Sequence, residues 1–239
     1  MNLNGQRVVI LGGTSGIGLA TAQAAAEQGA QLVVASSRQT SVDAALAVLL
    51  GNAEGHALDI ADAAAVSAFF DRVGAFDHLV YTAGEALSLM PLDEMEIAKA
   101  QAFFGLRYWG ALAAAKAARP HIRPGGSIVF TGGIAGARPG PGWAVAASIC
   151  AAMEGLTRAL AVELAPLRVN AVAPGVVRTP LWREWDEAAL EGFYAERAKA
   201  IPVGHVGAPE EVAKAYVYLM AQTYGSGQTL VVDGGNVLV

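Results

Sequence analysis

Gly12-Gly13-Thr14-Ser15-Gly16-Ile17-Gly18 lies between a short apolar run, Arg7 to Leu11, and an Ala-rich helical stretch, Leu19 to Gln28. Glycines at a strand-to-helix turn bring bare backbone up to a helix N-terminus. Unpaired N–H groups and the positive end of the helix dipole favour a phosphate there, and the missing side chains let it approach closely. A purely structural glycine loop is the alternative, and the strand, turn and helix context weighs against it.

A second informative stretch is Ser36-Ser37-Arg38, which closes the apolar run Gln31 to Ala35. In a dinucleotide-binding unit an acidic residue at that place bonds the adenosine ribose hydroxyls and repels a 2′-phosphate. An arginine fork with two hydroxyls does the reverse, so NADP(H) is favoured over NAD(H). Arg38 as an ordinary solvated loop residue is the competing reading.

The elements that must position these residues follow from hydrophobic patterning. Arg7 to Leu11, Gln31 to Ala35, Gly55 to Leu58, Asp77 to Tyr81, Ser127 to Thr131, Arg168 to Val172 and Gln228 to Val232 read as strands, with helices filling the gaps. Most of these runs are continuously apolar, which implies burial on both faces. The pattern predicts a doubly wound α/β fold: a mainly parallel seven-stranded sheet with helices on each side. With 239 residues, 54% of them hydrophobic and 15% charged, the chain is expected to form one domain, and no repeat or linker divides it. Residues 180–206 break the alternation and carry Trp182, Trp185, Phe193 and Tyr194. They are read either as a mobile lid over a ligand or as a helical hairpin packing its aromatics into the core.

The glycine spacing is G-x-x-x-G-x-G, and here the chain resembles the short-chain dehydrogenase/reductase family of Rossmann folds. Further elements match in family order: Asp59 in His56-Ala57-Leu58-Asp59-Ile60, Thr82-Ala83-Gly84 against the family's N-A-G, Asn170 to Thr179 in an N-x-x-x-P-G-x-x-x-T pattern, and Asp233-Gly234-Gly235. The resemblance implies a nicotinamide dinucleotide site built by Gly12, Thr14, Ser15, Gly16, Ile17 and Gly18, by Ser36, Ser37 and Arg38, and by Asp59 and Ile60. Ala83 and Gly84, with Pro174, Gly175, Val177 and Thr179, complete it.

Hydride reduction of a carbonyl builds negative charge on its oxygen, which must be stabilised and protonated. The family uses Ser, Tyr and Lys with a Y-x-x-x-K spacing. Counted from Met153-Glu154-Gly155-Leu156, those positions fall on Gly133, Ala146 and Cys150, and none of the lysines Lys99, Lys116, Lys199 and Lys214 has a tyrosine four residues before it. The family's helix-four asparagine position falls on Arg107. Arg107 and Tyr108 are therefore the candidate catalytic residues, with Tyr81 as another possible acid and structural packing as the alternative for each. Trp143 could line a substrate pocket, Ser148 should face away, Cys150 reads as packing, and His121 belongs at a helix end.

Two functions fit: an NADP(H)-dependent oxidoreductase acting on a carbonyl/alcohol pair or related hydride acceptor with a non-standard active site, or a catalytically inactive NADP(H)-binding sensor or partner subunit. Other classes are disfavoured. One cysteine excludes an intrachain disulfide and a cysteine zinc cluster, and no metal site is expected. A net charge of −5 without a Lys/Arg run argues against nucleic acid or anionic membrane and for a small-molecule partner. No apolar run is read as reaching the roughly 18 residues of a membrane span, and Met1 to Ile10 lacks a signal-peptide build, so a cytoplasmic protein is expected. Ala-rich stretches at Gly110 to Ala118 and Ala144 to Ala152, which match the family's dimer helices, suggest a homodimer or homotetramer.

Overall fold

The computed structural model describes residues 2–49, 51 and 53–239; Met1, Leu50 and Asn52 lie outside the described residues. The elements run β1 (Arg7–Leu11), α1 (Gly16–Glu27), β2 (Gln31–Ser36), α2 (Gln39–Val48), β3 (Ala53–Ala57), α3 (Ala63–Val73) and β4 (Phe76–Tyr81). Then follow α4 (Ile97–Phe104), a π-helical turn (Gly105–Gly110), α5 (Ala111–Ala118), β5 (Ile122–Thr131), α6 (Ala144–Glu163) and β6 (Arg168–Pro174). α7 (Glu187–Ala200), α8 (Pro209–Ala221) and β7 (Thr229–Val232) complete the chain. The strands pair in parallel in the order β3-β2-β1-β4-β5-β6-β7, a seven-stranded sheet of Rossmann type. The order reverses between β1 and β4, so the turns after those strands diverge and open a crevice at the carboxyl edge of the sheet.

Side-chain alternation along each strand feeds two cores. Val9 and Leu11 point to the side covered by α3, α5 and α6, where they meet Phe69, Phe70, Ala114 and Met153. Val8 and Ile10 point to the side covered by α1, α2 and α8, with Ala22, Ala45, Val212 and Tyr216. Phe70 packs edge-on to Phe69 at 5.1 Å and stacks on Phe76 at 5.7 Å, and burying each ring stabilises by about 1.5–3 kcal/mol. Local signals set the helix ends. Asp62 accepts from the amides of Ala64 and Ala65 to start α3, Asp186 accepts from Ala189 to start α7, and Glu211 accepts from the Ala208 amide beside Pro209 to start α8.

Three differences from the sequence patterning have physical causes. β3 begins at Ala53 rather than Gly55 because it is an edge strand, half-wet and only partly apolar. β5 begins at Ile122, five residues before Ser127, since its pairing with β4 passes a register shift near Pro124 and Gly125 that interrupts the apolar run. α6 is a 20-residue helix with a mean hydropathy of 1.4, long and apolar enough by length and composition to cross a membrane, so the expectation that no segment reaches that length is corrected. It lies on the sheet, with Met153, Leu156 and Leu160 in the core and Glu154, Arg158 and Glu163 elsewhere on its surface.

Candidate active site

The nucleotide cradle is built by backbone approach. Gly12 leaves β1 with φ +86°, and a Cβ on it would stand 2.6 Å from the Ala83 nitrogen after β4. A Cβ on Gly18 would stand 2.2 Å from the Gly12 carbonyl oxygen, so neither position admits a side chain. The Thr82 hydroxyl lies 3.1 Å from the Leu11 carbonyl and 3.2 Å from that of Gly12, pinning the two turns together. Ser15 caps α1 without a side-chain hydrogen bond, which leaves the first-turn N–H groups facing the crevice.

One cleft of about 940 Å³ joins this cradle to the centre of the sheet edge. Every expected cofactor residue lines it: Gly12, Thr14, Ser15, Gly16, Ile17 and Gly18; Ser36, Ser37 and Arg38; Asp59 and Ile60; Ala83 and Gly84; Pro174, Gly175, Val177 and Thr179. Arg38 is exposed at the mouth, beside Ser37 and Ser41, and pairs with no carboxylate among the described residues. Asp59 fixes its own loop by accepting from the Ala61 amide at 2.9 Å.

Gly133, Ala146 and Cys150 all line the same cleft, and a Cβ on Gly133 would lie 3.1 Å from the Cys150 Sγ. Burial pushes the Cys150 thiol up, so it stays protonated near neutrality. Arg107 reaches this point from the π turn. Its guanidinium donates to the Glu85 carbonyl and lies over the Phe103 ring at 4.8 Å. Its Nε sits 3.3 Å from Glu85 Oε2 in an ion contact without hydrogen-bond alignment, and both atoms are buried without another partner. Burial works against the Arg107 charge and lowers its pKa, with Glu85 the largest opposing influence. Gly84 makes room for it: a Cβ there would meet Arg107 Nη1 at 2.8 Å.

The two tyrosines named with Arg107 are not brought to the cleft. Tyr81 is 1% exposed and donates to the Leu106 carbonyl at 2.5 Å, and burial holds its phenol far above the usual range. Tyr108 turns the other way, edge-on to Trp109 at 5.0 Å and to Phe104 at 6.3 Å. Ser148 is exposed and donates to the Ala144 carbonyl, while His121 stacks on Phe70 and faces Asp71 at 3.4 Å. Trp143, the residue preceding α6, lines the cleft.

The aromatics of residues 180–206 divide between the core and the cleft. Trp182 is buried, donates from Nε1 to the Val177 carbonyl at 3.0 Å, and shares the core with Tyr194. Trp185 and Phe193 line the cleft, 5.3 Å apart. The sequence reading missed Glu85, Arg138, Arg183 and Arg197, which also line it. Glu85 directly follows Thr82-Ala83-Gly84, a signal that could have flagged it; the three arginines are unmarked by any spacing.

A parallel sheet in this order, with a glycine-lined crevice where the order reverses, defines a dinucleotide-binding α/β protein. The family model described as Enoyl-(Acyl carrier protein) reductase matches residues 12–236. The chain is 33% identical to Short-chain dehydrogenase/reductase malC of Malbranchea aurantiaca, over 99% of this chain and 96% of that one. Among solved structures it is similar to MalC Reductase/Diels-Alderase from Malbranchea aurantiaca, with a TM-score of 0.92 and 31% identity over 99% of this chain and 98% of that one. It is also similar to a small-chain dehydrogenase in complex with NADPH, with a TM-score of 0.88 and 34% identity over 99% and 100%. The chain belongs to the short-chain dehydrogenase/reductase family.

Proposed function

We propose that the protein is an NADP(H)-dependent oxidoreductase that acts on a carbonyl/alcohol pair or related hydride acceptor through a non-standard active site. The observation that carries this reading is Arg107, a half-buried cation beside Gly84 and Cys150 in a cleft that no tyrosine, lysine or histidine lines among the described residues. Gly133, Ala146 and Cys150 stand where the family has serine, tyrosine and lysine, so charge on an acceptor oxygen is met by Arg107 instead. The residues present fit a nicotinamide dinucleotide: Gly12 and Gly18 admit no side chain, so the turn after β1 packs against Ala83 and Thr82 and leads directly into the α1 N-terminus, whose open first-turn N–H groups suit a pyrophosphate. The α1 N-terminus would hold the pyrophosphate and Arg38 with Ser36 and Ser37 the 2′-phosphate, and the NADPH-bound structure similar to this chain supports that preference. When bound, the nicotinamide supplies the hydride.

Within this reading Glu85 holds the Arg107 side chain from below, and Trp143, Trp185 and Phe193 exclude water from the reacting face. With Tyr81 sealed against Leu106 and no tyrosine, lysine or histidine lining the cleft among the described residues, the proton reaches the product oxygen from water. Exposed Trp109, just before the stretch Gly110 to Ala118, and Val162, on α6 beyond Ala152, leave apolar surface next to the stretches that resemble the family's dimer helices, which supports a homodimer or homotetramer.

The test is a titration with NADPH and NADH followed by NADPH consumption over aldehydes, ketones and quinones. Tight NADPH binding with turnover is the expected result. Binding without turnover on any acceptor would instead favour the inactive sensor or partner subunit, and no binding of either nucleotide would overturn both.

A further inference from the structure

One side of the cleft is not accounted for by a dinucleotide. The chain carries a net charge of −5, yet the charged residues lining its cleft are five arginines, Arg38, Arg107, Arg138, Arg183 and Arg197, against two carboxylates, Asp59 and Glu85. Arg38 and Asp59 belong to the adenosine end, and Glu85 is taken up by Arg107. That leaves Arg138, Arg183 and Arg197 without a carboxylate partner among the described residues. Arg183 donates only to the Pro180 carbonyl in its own turn, and its charge opposes that of Arg107. Arg138 and Arg183 are exposed and Arg197 is half-buried, and like charges along one side of a cleft set up a positive potential that draws an anion in.

The walls around these cations are apolar and aromatic. Arg197 lies over the Phe193 ring at 5.6 Å; Phe193 and Trp185 are 5.3 Å apart, and Trp143 faces the same space from the start of α6. Rings offer a flat molecule broad contact, and their low polarity strengthens the attraction between an arginine and an anion. Arg138 follows β5 and Arg197 lies on α7, so cations from two separate elements line the one cleft.

We propose that the substrate is a flat, aromatic or conjugated carbonyl compound carrying a carboxylate. Its body lies against Trp143, Trp185 and Phe193, and its carboxylate is met by Arg138 and Arg197. This rests on the reductase reading given above. The same field repels a cationic acceptor such as an iminium, so that class is excluded as a preferred substrate.

The experiment measures NADPH binding by nucleotide fluorescence, then titrates the NADP⁺-loaded protein with 2-naphthoate and with its uncharged counterpart 2-naphthamide, read by tryptophan quenching. Naphthoate binds about tenfold or more tightly, the discrimination of one charge-assisted contact, and the preference shrinks as salt is raised. In Arg138→Met/Arg197→Met, which keeps apolar stems, the two ligands bind alike while NADPH affinity holds. Equal binding of the two ligands to the parent protein, failure of naphthoate to bind, or a preference untouched in the double variant overturns the proposal. Loss of NADPH binding in the parent protein overturns the reductase reading as well, whereas intact NADPH binding without carboxylate preference overturns this proposal alone.

Discussion

Gly84→Ala separates the position of Arg107 from its presence. A Cβ at residue 84 would stand 2.8 Å from Arg107 Nη1 and 2.9 Å from its Cζ, closer than carbon and nitrogen tolerate, while the backbone of Gly84 is not in the left-handed region. The obstructing atoms are the far end of a flexible side chain, so the guanidinium moves and the backbone stays. The move breaks the bond to the Glu85 carbonyl and loosens the 3.3 Å contact with Glu85 Oε2. A hydrogen bond to a charged group is worth roughly 1.5–3 kcal/mol, part of which is regained when the displaced charge meets water. A loss of about 1–2 kcal/mol follows, or roughly 2–8 °C in Tm for a chain of this size. Catalysis should suffer more: removing one preorganised stabiliser of a developing oxyanion costs about 100- to 1000-fold in kcat. The assay is a double-mutant cycle in kcat with Gly84→Ala, Arg107→Ala and the pair. If Gly84→Ala acts through Arg107, it costs nothing further in the Arg107→Ala background. Wild-type turnover in Gly84→Ala, or an undiminished penalty in the double variant, would refute the role given to Arg107.

Arg38→Ala should weaken NADPH binding by roughly 10- to 150-fold, the worth of a charge-assisted phosphate contact, and leave NADH binding unchanged in the same titration. Tyr81→Phe should cost about 1–2 kcal/mol in urea unfolding, because the Leu106 carbonyl in the π turn loses its donor, yet turnover should stay within a few-fold of the parent. His78 is 2% exposed between Ser127 and Gln6, and burial, reinforced by Arg168, pushes its pKa down to about 4 from 6.5. The imidazole carries no penalty above pH 6.5; as pH falls from 6.5 to 4 the unfolded chain takes up the proton first, and stability drops by up to roughly 3 kcal/mol. Urea unfolding at pH 7 and pH 4.5 should show this fall, and His78→Gln should lessen it.

How much of the molecule the sequence discloses depends on whether the information is local. The glycine turn, the strand runs and Ser36-Ser37-Arg38 are contiguous signals, and each lands on the crevice edge where the strand order reverses. β3 and the start of β5 blur because an edge strand is half solvated and a bulge breaks the apolar run. Arg138, Arg183 and Arg197 come from three segments, and nothing in their neighbours tells that tertiary folding gathers them in one cleft.

The direction of side chains in the segment Arg107-Tyr108-Trp109 is the sharpest limit. Helical backbone continues from Ile97 to Ala118, but the π turn at Gly105–Gly110 inserts an extra residue into the winding. Regular α-helical spacing therefore fails within this turn, and the carbonyl of Leu106 is turned out to accept from Tyr81. Arg107 is carried to the cleft and Tyr108 to the aromatic contact with Phe104 and Trp109. A residue pair that looks interchangeable as acid or anion binder in the sequence is thus divided, one member to the site and one to packing. The division matters for the proposed reaction: an arginine meets charge on oxygen but does not surrender a proton near neutrality, so in that proposal Arg107 stabilises the developing oxyanion and the proton has another source.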